Sequence, residues 1–128
     1  MGYILIVDDE QQIRDLVSFR LNSQGYIFKT ADCAEAALEI IKEEQPDLMV
    51  LDVSMPRMTG VELCQLIKSD PETSSIKILM LTGKVEEEDE AEGLSAGADF
   101  YMTKPFSARE LSAKIEELLE NNLSKEKS

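Results

Sequence analysis

The chain of 128 residues has the size of one domain, and its content of 43% hydrophobic and 30% charged residues is that of an ordinary globular protein. A formal net charge of −13 argues against direct binding of nucleic acid by this domain alone, and the absence of histidine removes the usual general base and the commonest zinc ligand. No segment has the length of a membrane span and the first residues lack the pattern of a signal peptide, so we expect a cytoplasmic protein with no membrane insertion.

Short apolar runs bounded by turn residues alternate with stretches of helical spacing along the chain. The apolar runs predict five strands, at residues 3–7, 26–30, 48–52, 76–81 and 99–103. The helical stretches predict five helices, at residues 10–24 and 33–44, after Thr59, at residues 86–96 and after Ser107, with Asp32, Thr59 and Ser107 as N-caps. The alternation is typical of an α/β fold, a doubly wound parallel sheet with helices on both faces. We expect one domain over residues 1–120, and residues 121–128 as a polar C-terminal tail or the start of a linker.

Polar side chains follow four of the predicted strands, at the point where each strand ends. Asp8 and Asp9 follow the first strand, and Asp52 ends the third. Thr82 follows the fourth strand and Lys104 the fifth. Right-handed crossovers place every strand-to-helix loop on one edge of a parallel sheet, so we expect these side chains to meet there.

The chemistry of this group points to a phosphoryl group on Asp52. Converging carboxylates repel each other, and a hard divalent cation such as Mg²⁺ would offset that repulsion with oxygen ligands. Lys104 supplies an ammonium group, aimed inward by a cis peptide bond that we predict at Pro105, and Thr82 supplies a hydroxyl donor. Aspartate is a covalent nucleophile toward phosphoryl donors, and phosphoryl transfer asks a protein mainly for positioned positive charge.

Each of these residues taken alone also fits an ordinary structural role. A strand-end aspartate is often a turn or capping residue, Thr82 could cap a helix, and Lys104 could be a surface charge. Their joint occurrence at the ends of four strands favours a site.

These residues closely resemble the receiver domain of two-component response regulators. The resemblance covers residues 3–120 and is carried by the motifs Ile6-Val7-Asp8-Asp9-Glu10, Leu51-Asp52-Val53-Ser54-Met55-Pro56 with Thr59-Gly60, Leu81-Thr82-Gly83, Gly97-Ala98-Asp99, and Tyr101-Met102-Thr103-Lys104-Pro105-Phe106. It implies the flavodoxin-like strand order 2-1-3-4-5, with five flanking helices.

The resemblance also implies a metal-dependent phosphoacceptor. Asp52 would accept a phosphoryl group from a sensor histidine kinase or a histidine phosphotransfer protein. Asp8, Asp9 and Asp52 would hold Mg²⁺, with Mn²⁺ as an alternative, and the backbone carbonyl of Ser54 would complete the protein ligands. Lys104 would contact the phosphoryl oxygens.

The same resemblance implies a switch that signals to a partner. Thr82 would move to donate to the phosphoryl group, and Tyr101 would turn inward in the activated state. The signal would pass through the face formed by the fourth helix, fifth strand and fifth helix, to a downstream effector protein or an output domain. The protein would not be an enzyme acting on outside substrates, although it would assist its own phosphorylation and dephosphorylation.

The expected oligomeric state is a monomer or a weak dimer. One branch of the family, the winged-helix transcription factors, pairs charges across this face, and four residues fit that pattern: Lys84, Glu88, Asp99 and Lys114. Glu90 stands where we align a basic residue, and Phe100 stands where the usual second acid would be. Both departures weaken such a dimer.

Three other classes of function remain open at this point. A haloacid-dehalogenase-type phosphatase also uses a strand-end aspartate, Mg²⁺ and a lysine. The pattern of that class, however, has a second aspartate two residues after the first, at the position where this chain has Ser54. A flavodoxin-like cofactor binder would need a phosphate-cradling loop after the first strand, where this chain has Asp8, Asp9 and Glu10. A degenerate receiver would lack some of the expected site residues, all of which are present.

Overall fold

The computed structural model describes residues 2–83 and 96–127. Its centre is a five-stranded sheet in the order β2-β1-β3-β4-β5, and every neighbouring pair is parallel. The strands are β1 (Ile4–Val7), β2 (Phe28–Ala31), β3 (Leu48–Asp52), β4 (Lys77–Thr82) and β5 (Phe100–Thr103). The predicted fold class and strand order are therefore confirmed.

Four helices lie in the described part of the chain: α1 (Gln11–Ser23), α2 (Ala34–Glu43), α3 (Gly60–Ser69) and the C-terminal helix (Ala108–Lys127). The helix predicted at residues 86–96 lies outside the described residues except for Ala96, which is in a turn. The C-terminal helix continues to Lys127, through residues that the sequence analysis predicted as a polar tail or the start of a linker. None of the helices within residues 2–83 and 96–127 combines the length and the apolar character that crossing a membrane requires.

Both faces of the sheet are packed against helices. Along β3 the alternate residues Met49 and Leu51 join the cluster that contains side chains of α2 and α3, whereas Leu48 and Val50 join the cluster that contains side chains of α1 and the C-terminal helix. All five residues of β3 are buried. A continuous apolar run of this kind is typical of a central strand covered on both faces, and it places Asp52 at the end of the strand in the middle of the sheet.

Local sequence signals explain the start of α3 and the end of α1. Thr59 caps α3 through a capping box: its hydroxyl accepts from the backbone N–H of Glu62, and the Glu62 carboxylate accepts from the backbone N–H of Thr59. Gly25 follows α1 with a φ of +82°, a conformation that glycine adopts at no steric cost. The prediction of Asp32 as the cap of α2 was wrong. Cys33 is the N-cap, and its Sγ accepts from the backbone N–H of Ala36 at 3.4 Å.

Candidate functional site

The polar residues at the strand ends come together, as the topology requires. Asp8, Asp52 and Thr82 are almost completely buried, with 1%, 3% and 1% of their surface exposed. The side-chain nitrogen of Lys104 lies 3.0 Å from Asp8 Oδ2 and 3.4 Å from Asp52 Oδ1. The backbone N–H of Lys104 donates to the Thr82 carbonyl at 2.6 Å, which joins the ends of β4 and β5. The peptide bond between Lys104 and Pro105 is cis, as predicted.

Asp9 and Ser54 lie at the surface of this group. Both residues are exposed, and both line a cleft of about 500 Å³ that opens between Asp9 and the loop after β3. The backbone N–H of Ser54 donates to Asp52 Oδ1 at 3.4 Å. The buried acid Asp52 is therefore hydrogen-bonded to a residue that lines this cleft.

A third carboxylate binds Lys104, that of Glu10, which the sequence analysis had not placed in the site. Its Oε1 lies 3.3 Å from the Lys104 nitrogen, and its side chain is 60% exposed. The only signal in the sequence was the position of Glu10 directly after the two aspartates. The backbone N–H of Glu10 also donates to Asp8 Oδ1 at 2.9 Å, so this residue contributes through both main chain and side chain.

The buried carboxylates are harder to ionise than ordinary ones. Burial raises the pKa of Asp52 to about 7, the charge of Asp8 adds to this increase, and Lys104 opposes it. Burial also raises the pKa of Asp8, against hydrogen bonds from Glu10 and Lys104. Burial acts to lower the pKa of Lys104, but its carboxylate partners outweigh that effect and the pKa is raised. The site therefore places a charged lysine next to buried carboxyl groups, and an added positive charge would favour the ionised form of those groups.

Gly60 allows helix α3 to begin directly against the loop that follows Asp52. A Cβ atom at this position would lie 2.1 Å from the Asp52 carbonyl oxygen and 2.8 Å from the Val53 Cα. The backbone N–H of Gly60 donates to the Val53 carbonyl at 2.9 Å, and the N–H of Val53 donates to Leu81 at the same distance. No other residue can occupy this contact without moving the backbone of the loop.

The carboxylates fit a hard divalent cation. One oxygen from each of Asp8, Asp9 and Glu10 can be chosen so that all three lie within 4.8 Å of one another, and oxygen ligands of this type suit Mg²⁺. Asp52, which was predicted as a ligand, is not part of that group of three. Its carboxylate contacts Lys104 and the Ser54 N–H, and a side-chain hydrogen bond with Asp9, a member of that group, acts to raise the pKa of Asp52.

Tyr101 lies on β5 opposite Met80 and is half-buried against the core cluster of the α2 and α3 side. This position is compatible with an aromatic side chain that changes its burial. Its role together with Thr82 stays a prediction.

Asp99, one of the residues predicted to face a dimer partner, is engaged inside the chain. Its Oδ2 lies 3.0 Å from the Lys68 nitrogen and accepts from the Ile78 backbone N–H at 2.8 Å, and its Oδ1 lies 3.8 Å from the Lys77 nitrogen. These contacts join α3 to the starts of β4 and β5. Asp99 is thus a structural tie, by which we mean a side chain whose contacts hold α3, β4 and β5 together.

Lys114 also has partners within its own chain. Its nitrogen lies 4.1 Å from the centre of the Phe100 ring and 2.8 Å from Glu117 Oε2. Lys84, Glu88 and Glu90, the other residues of the predicted dimer face, lie outside the described residues.

Comparisons with known proteins agree on one family. The model of the response regulator receiver domain matches residues 4–116. The alkaline phosphatase synthesis transcriptional regulatory protein PhoP of Bacillus subtilis is 46% identical over 91% of this chain and 48% of its own length. The phosphate regulon transcriptional regulatory protein PhoB of Pseudomonas aeruginosa is 44% identical over 91% of this chain and 51% of its own length. The chain therefore spans about half the length of these curated relatives.

Solved structures show the same likeness. A CheY-like response regulator receiver domain protein of Methanospirillum hungatei superposes with a TM-score of 0.90, at 34% identity and over 98% of both chains. The chemotaxis protein CheY4 of Vibrio cholerae superposes with a TM-score of 0.86, at 33% identity, over 92% of this chain and 98% of its own.

Proposed function

The chain belongs to the response regulator receiver domain family, and on that premise we propose that it is a phosphorylation-dependent signalling switch with Asp52 as the phosphoacceptor. The observation that carries the proposal is the contact of Lys104 with both Asp8 and Asp52 at the end of the central strand. It places a cation beside a buried acid, next to a cleft that opens to solvent.

In the proposed reaction, an Asp52 carboxylate oxygen attacks the phosphorus of a phosphohistidine on a sensor kinase or phosphotransfer protein. An O–P bond forms, the P–N bond breaks, and its electron pair remains on the imidazole of the donor. The Lys104 ammonium group offsets charge on the phosphoryl oxygens, and the Ser54 N–H steadies Asp52. Mg²⁺ held by Asp8, Asp9, Asp52 and the Ser54 carbonyl, or Mn²⁺ in its place, would offset the charge of the carboxylates and of the transferring group.

The switch itself would use Thr82 and Tyr101. Thr82 sits at the end of β4, where its hydroxyl can be drawn toward a phosphoryl group on the neighbouring strand, and Tyr101 lies on the next strand. A phosphoryl group shifts a two-state equilibrium only by its difference in interaction energy between the states. We propose that this shift is transmitted through β5, the C-terminal helix and the segment predicted as a fourth helix.

The proposed partners are a histidine kinase or phosphotransfer protein and a downstream effector protein or output domain. The relatives PhoP and PhoB are named transcriptional regulators and are about twice as long as this chain. Direct contact of this domain with nucleic acid is disfavoured by its net charge of −13. Because Asp99 and Lys114 have intrachain partners, a monomer or weak dimer fits best. The domain boundary at residue 120 and the cytoplasmic location stay predictions.

Action as a phosphatase on outside substrates is not favoured, because Ser54 stands where that class of enzyme places its second aspartate. The chain would promote only the formation and hydrolysis of its own aspartyl phosphate.

The test is intact-mass analysis after incubation with acetyl phosphate, with and without Mg²⁺. Wild type should gain one phosphoryl group in a Mg²⁺-dependent manner, and Asp52→Asn should gain none. Asp15→Asn, which removes the same charge from an exposed position on α1, is the matched control and should be labelled like wild type. Undiminished labelling of Asp52→Asn would overturn the assignment.

A further inference from the structure

Three carboxylates together use the whole donor capacity of Lys104. Its nitrogen lies 3.0 Å from Asp8, 3.3 Å from Glu10 and 3.4 Å from Asp52. A lysine ammonium group has three N–H donors and no acceptor. A phosphoryl oxygen can therefore take a hydrogen bond from Lys104 only when one of these carboxylates gives up its own.

The exposure of the three side chains decides which carboxylate leaves. Those of Asp8 and Asp52 are 2% and 4% exposed, whereas that of Glu10 is 60% exposed. A buried carboxylate that loses its partner stays out of water, at a large cost in free energy, whereas an exposed one is hydrated again. Glu10 is thus the partner that Lys104 can release most easily.

We propose that Glu10 is a positioning residue that occupies the third donor of Lys104 until an incoming phosphoryl group displaces it. The contact holds Lys104 beside Asp52 in the unphosphorylated protein, and it slows phosphorylation because the anionic donor must compete with a carboxylate. Glu10 forms no covalent bond in this role. The inference rests on the proposed function of Asp52 as the phosphoacceptor.

A different role for Glu10 makes the opposite prediction. Its carboxylate lies in the group formed with Asp8 and Asp9, so it could serve the divalent cation instead. Removing a cation ligand would weaken Mg²⁺ binding and slow phosphorylation. Removing a competitor for Lys104 would speed phosphorylation and leave Mg²⁺ binding unchanged.

The experiment measures the rate of labelling by acetyl phosphate at saturating Mg²⁺ for the full chain and three variants. Glu10→Gln should be labelled about two- to fivefold faster than wild type, which is the rate equivalent of the coupling usual for exposed ion pairs. Glu10→Asp keeps the charge but shortens the side chain, so it loses the contact and should also be faster than wild type. Asp15→Asn removes one charge from an exposed side chain that is not among the ion-pair partners of Lys104, and it should stay within about 1.5-fold of wild type.

Calorimetric titration with Mg²⁺ completes the test, with an affinity for Glu10→Gln within about twofold of wild type as the expected result. A Glu10→Gln rate equal to that of Asp15→Asn would overturn the proposal, as would a slower rate with weaker Mg²⁺ binding. A fast Glu10→Gln with an unchanged Glu10→Asp would also overturn it, because general repulsion of the donor would then explain the effect. Failure of the proposed function itself is distinguishable, since Asp52→Asn would then be labelled like wild type.

Discussion

Asp52 Oδ1 lies 3.4 Å from the Lys104 nitrogen, and this contact does not offset the cost of burying the Asp52 carboxylate. Burial raises the pKa of Asp52 to about 7, and the charge of Asp8 contributes in the same direction. The pKa of an aspartate in an unfolded chain is about 3.9. Between these two values the folded protein binds a proton that the unfolded chain has released, so its stability falls as the pH rises from about 4 through about 7.

The first prediction is that Asp52→Asn is more stable than wild type in metal-free buffer, and that the difference grows with pH. Asparagine carries no charge to bury, so the variant escapes the loss of stability that wild type undergoes as Asp52 ionises. The difference should be about 1–2 kcal/mol at pH 5 and reach about 4 kcal/mol at pH 8. Urea unfolding at both pH values measures it, with Asp15→Asn as the control that shows no such change. An Asp52→Asn advantage of equal size at both pH values would contradict the prediction.

The second prediction concerns Mg²⁺ and the exposed acid Asp9. Wild type should gain stability with Mg²⁺, by about 2.7 kcal/mol at a concentration one hundred times the dissociation constant. Asp9→Asn should lose most of this gain, because it replaces an anionic carboxylate ligand by a neutral amide, while Asp15→Asn should keep it. Melting temperatures with and without Mg²⁺ provide the measurement.

Without metal, Asp9→Asn should itself be more stable than wild type, because one charge leaves a crowded group. Its effect should be smaller than that of Asp52→Asn, since Asp9 is exposed to water. A loss of melting temperature in both variants in metal-free buffer would show that these acids do not repel each other as argued.

The third prediction tests the approach of α3 to the loop after β3. Gly60→Ala should destabilise the fold by about 1–3 kcal/mol, the usual cost of forcing extra atoms into a packed contact. Gly83→Ala is the matched control, because a Cβ there would have nothing within 4 Å. It should change stability by less than about 1 kcal/mol. Urea unfolding of both variants measures the change in stability. If Gly60→Ala destabilised the fold no more than Gly83→Ala, the loop after β3 could move to make room for the extra methyl group without loss of stability.

The fourth prediction tests the tie formed by Asp99. Asp99→Ala leaves the Lys68 ammonium group and the Ile78 N–H without their carboxylate, and both lie in a partly buried setting. The free energy of unfolding should fall by about 2–4 kcal/mol. The control is Glu39→Ala, which breaks an ion pair with Lys42 whose side chains are 73–75% exposed, and it should cost at most about 1 kcal/mol. If Asp99→Ala were as mild as its control, Asp99 would be available to a partner protein after all.

The meeting of the strand ends was predictable from the sequence, because handedness and chain order alone place Asp8, Asp52, Thr82 and Lys104 on one edge of a parallel sheet. The continuous apolar run of β3 predicted a central strand for the same kind of reason. These rules depend on the handedness of the backbone and on the order of apolar and polar residues, and that order can be read directly from the sequence.

Side-chain contacts between distant segments were less predictable. The pairing of Glu10 with Lys104 depends on the directions of two long side chains that are 94 positions apart in the chain. Likewise, the Asp99 carboxylate before β5 binds Lys68 at the end of α3, whereas the family resemblance had suggested that Asp99 faces a dimer partner. The choice between Asp32 and Cys33 as the cap of α2 turned on a shift of one residue, which capping preferences alone do not resolve.

The contact between Asp8 and Lys104 joins residues that are 96 positions apart. During synthesis on the ribosome, Asp8 and Asp52 emerge long before the residue that pairs with both of them. A nascent or truncated chain that stops before Lys104 therefore carries Asp52, the proposed phosphoacceptor, without the lysine that lies beside it. The contacts of Lys104 with Asp8 and Asp52 can form only after the last strand has been synthesised, so every shorter chain lacks the arrangement on which the proposed function rests.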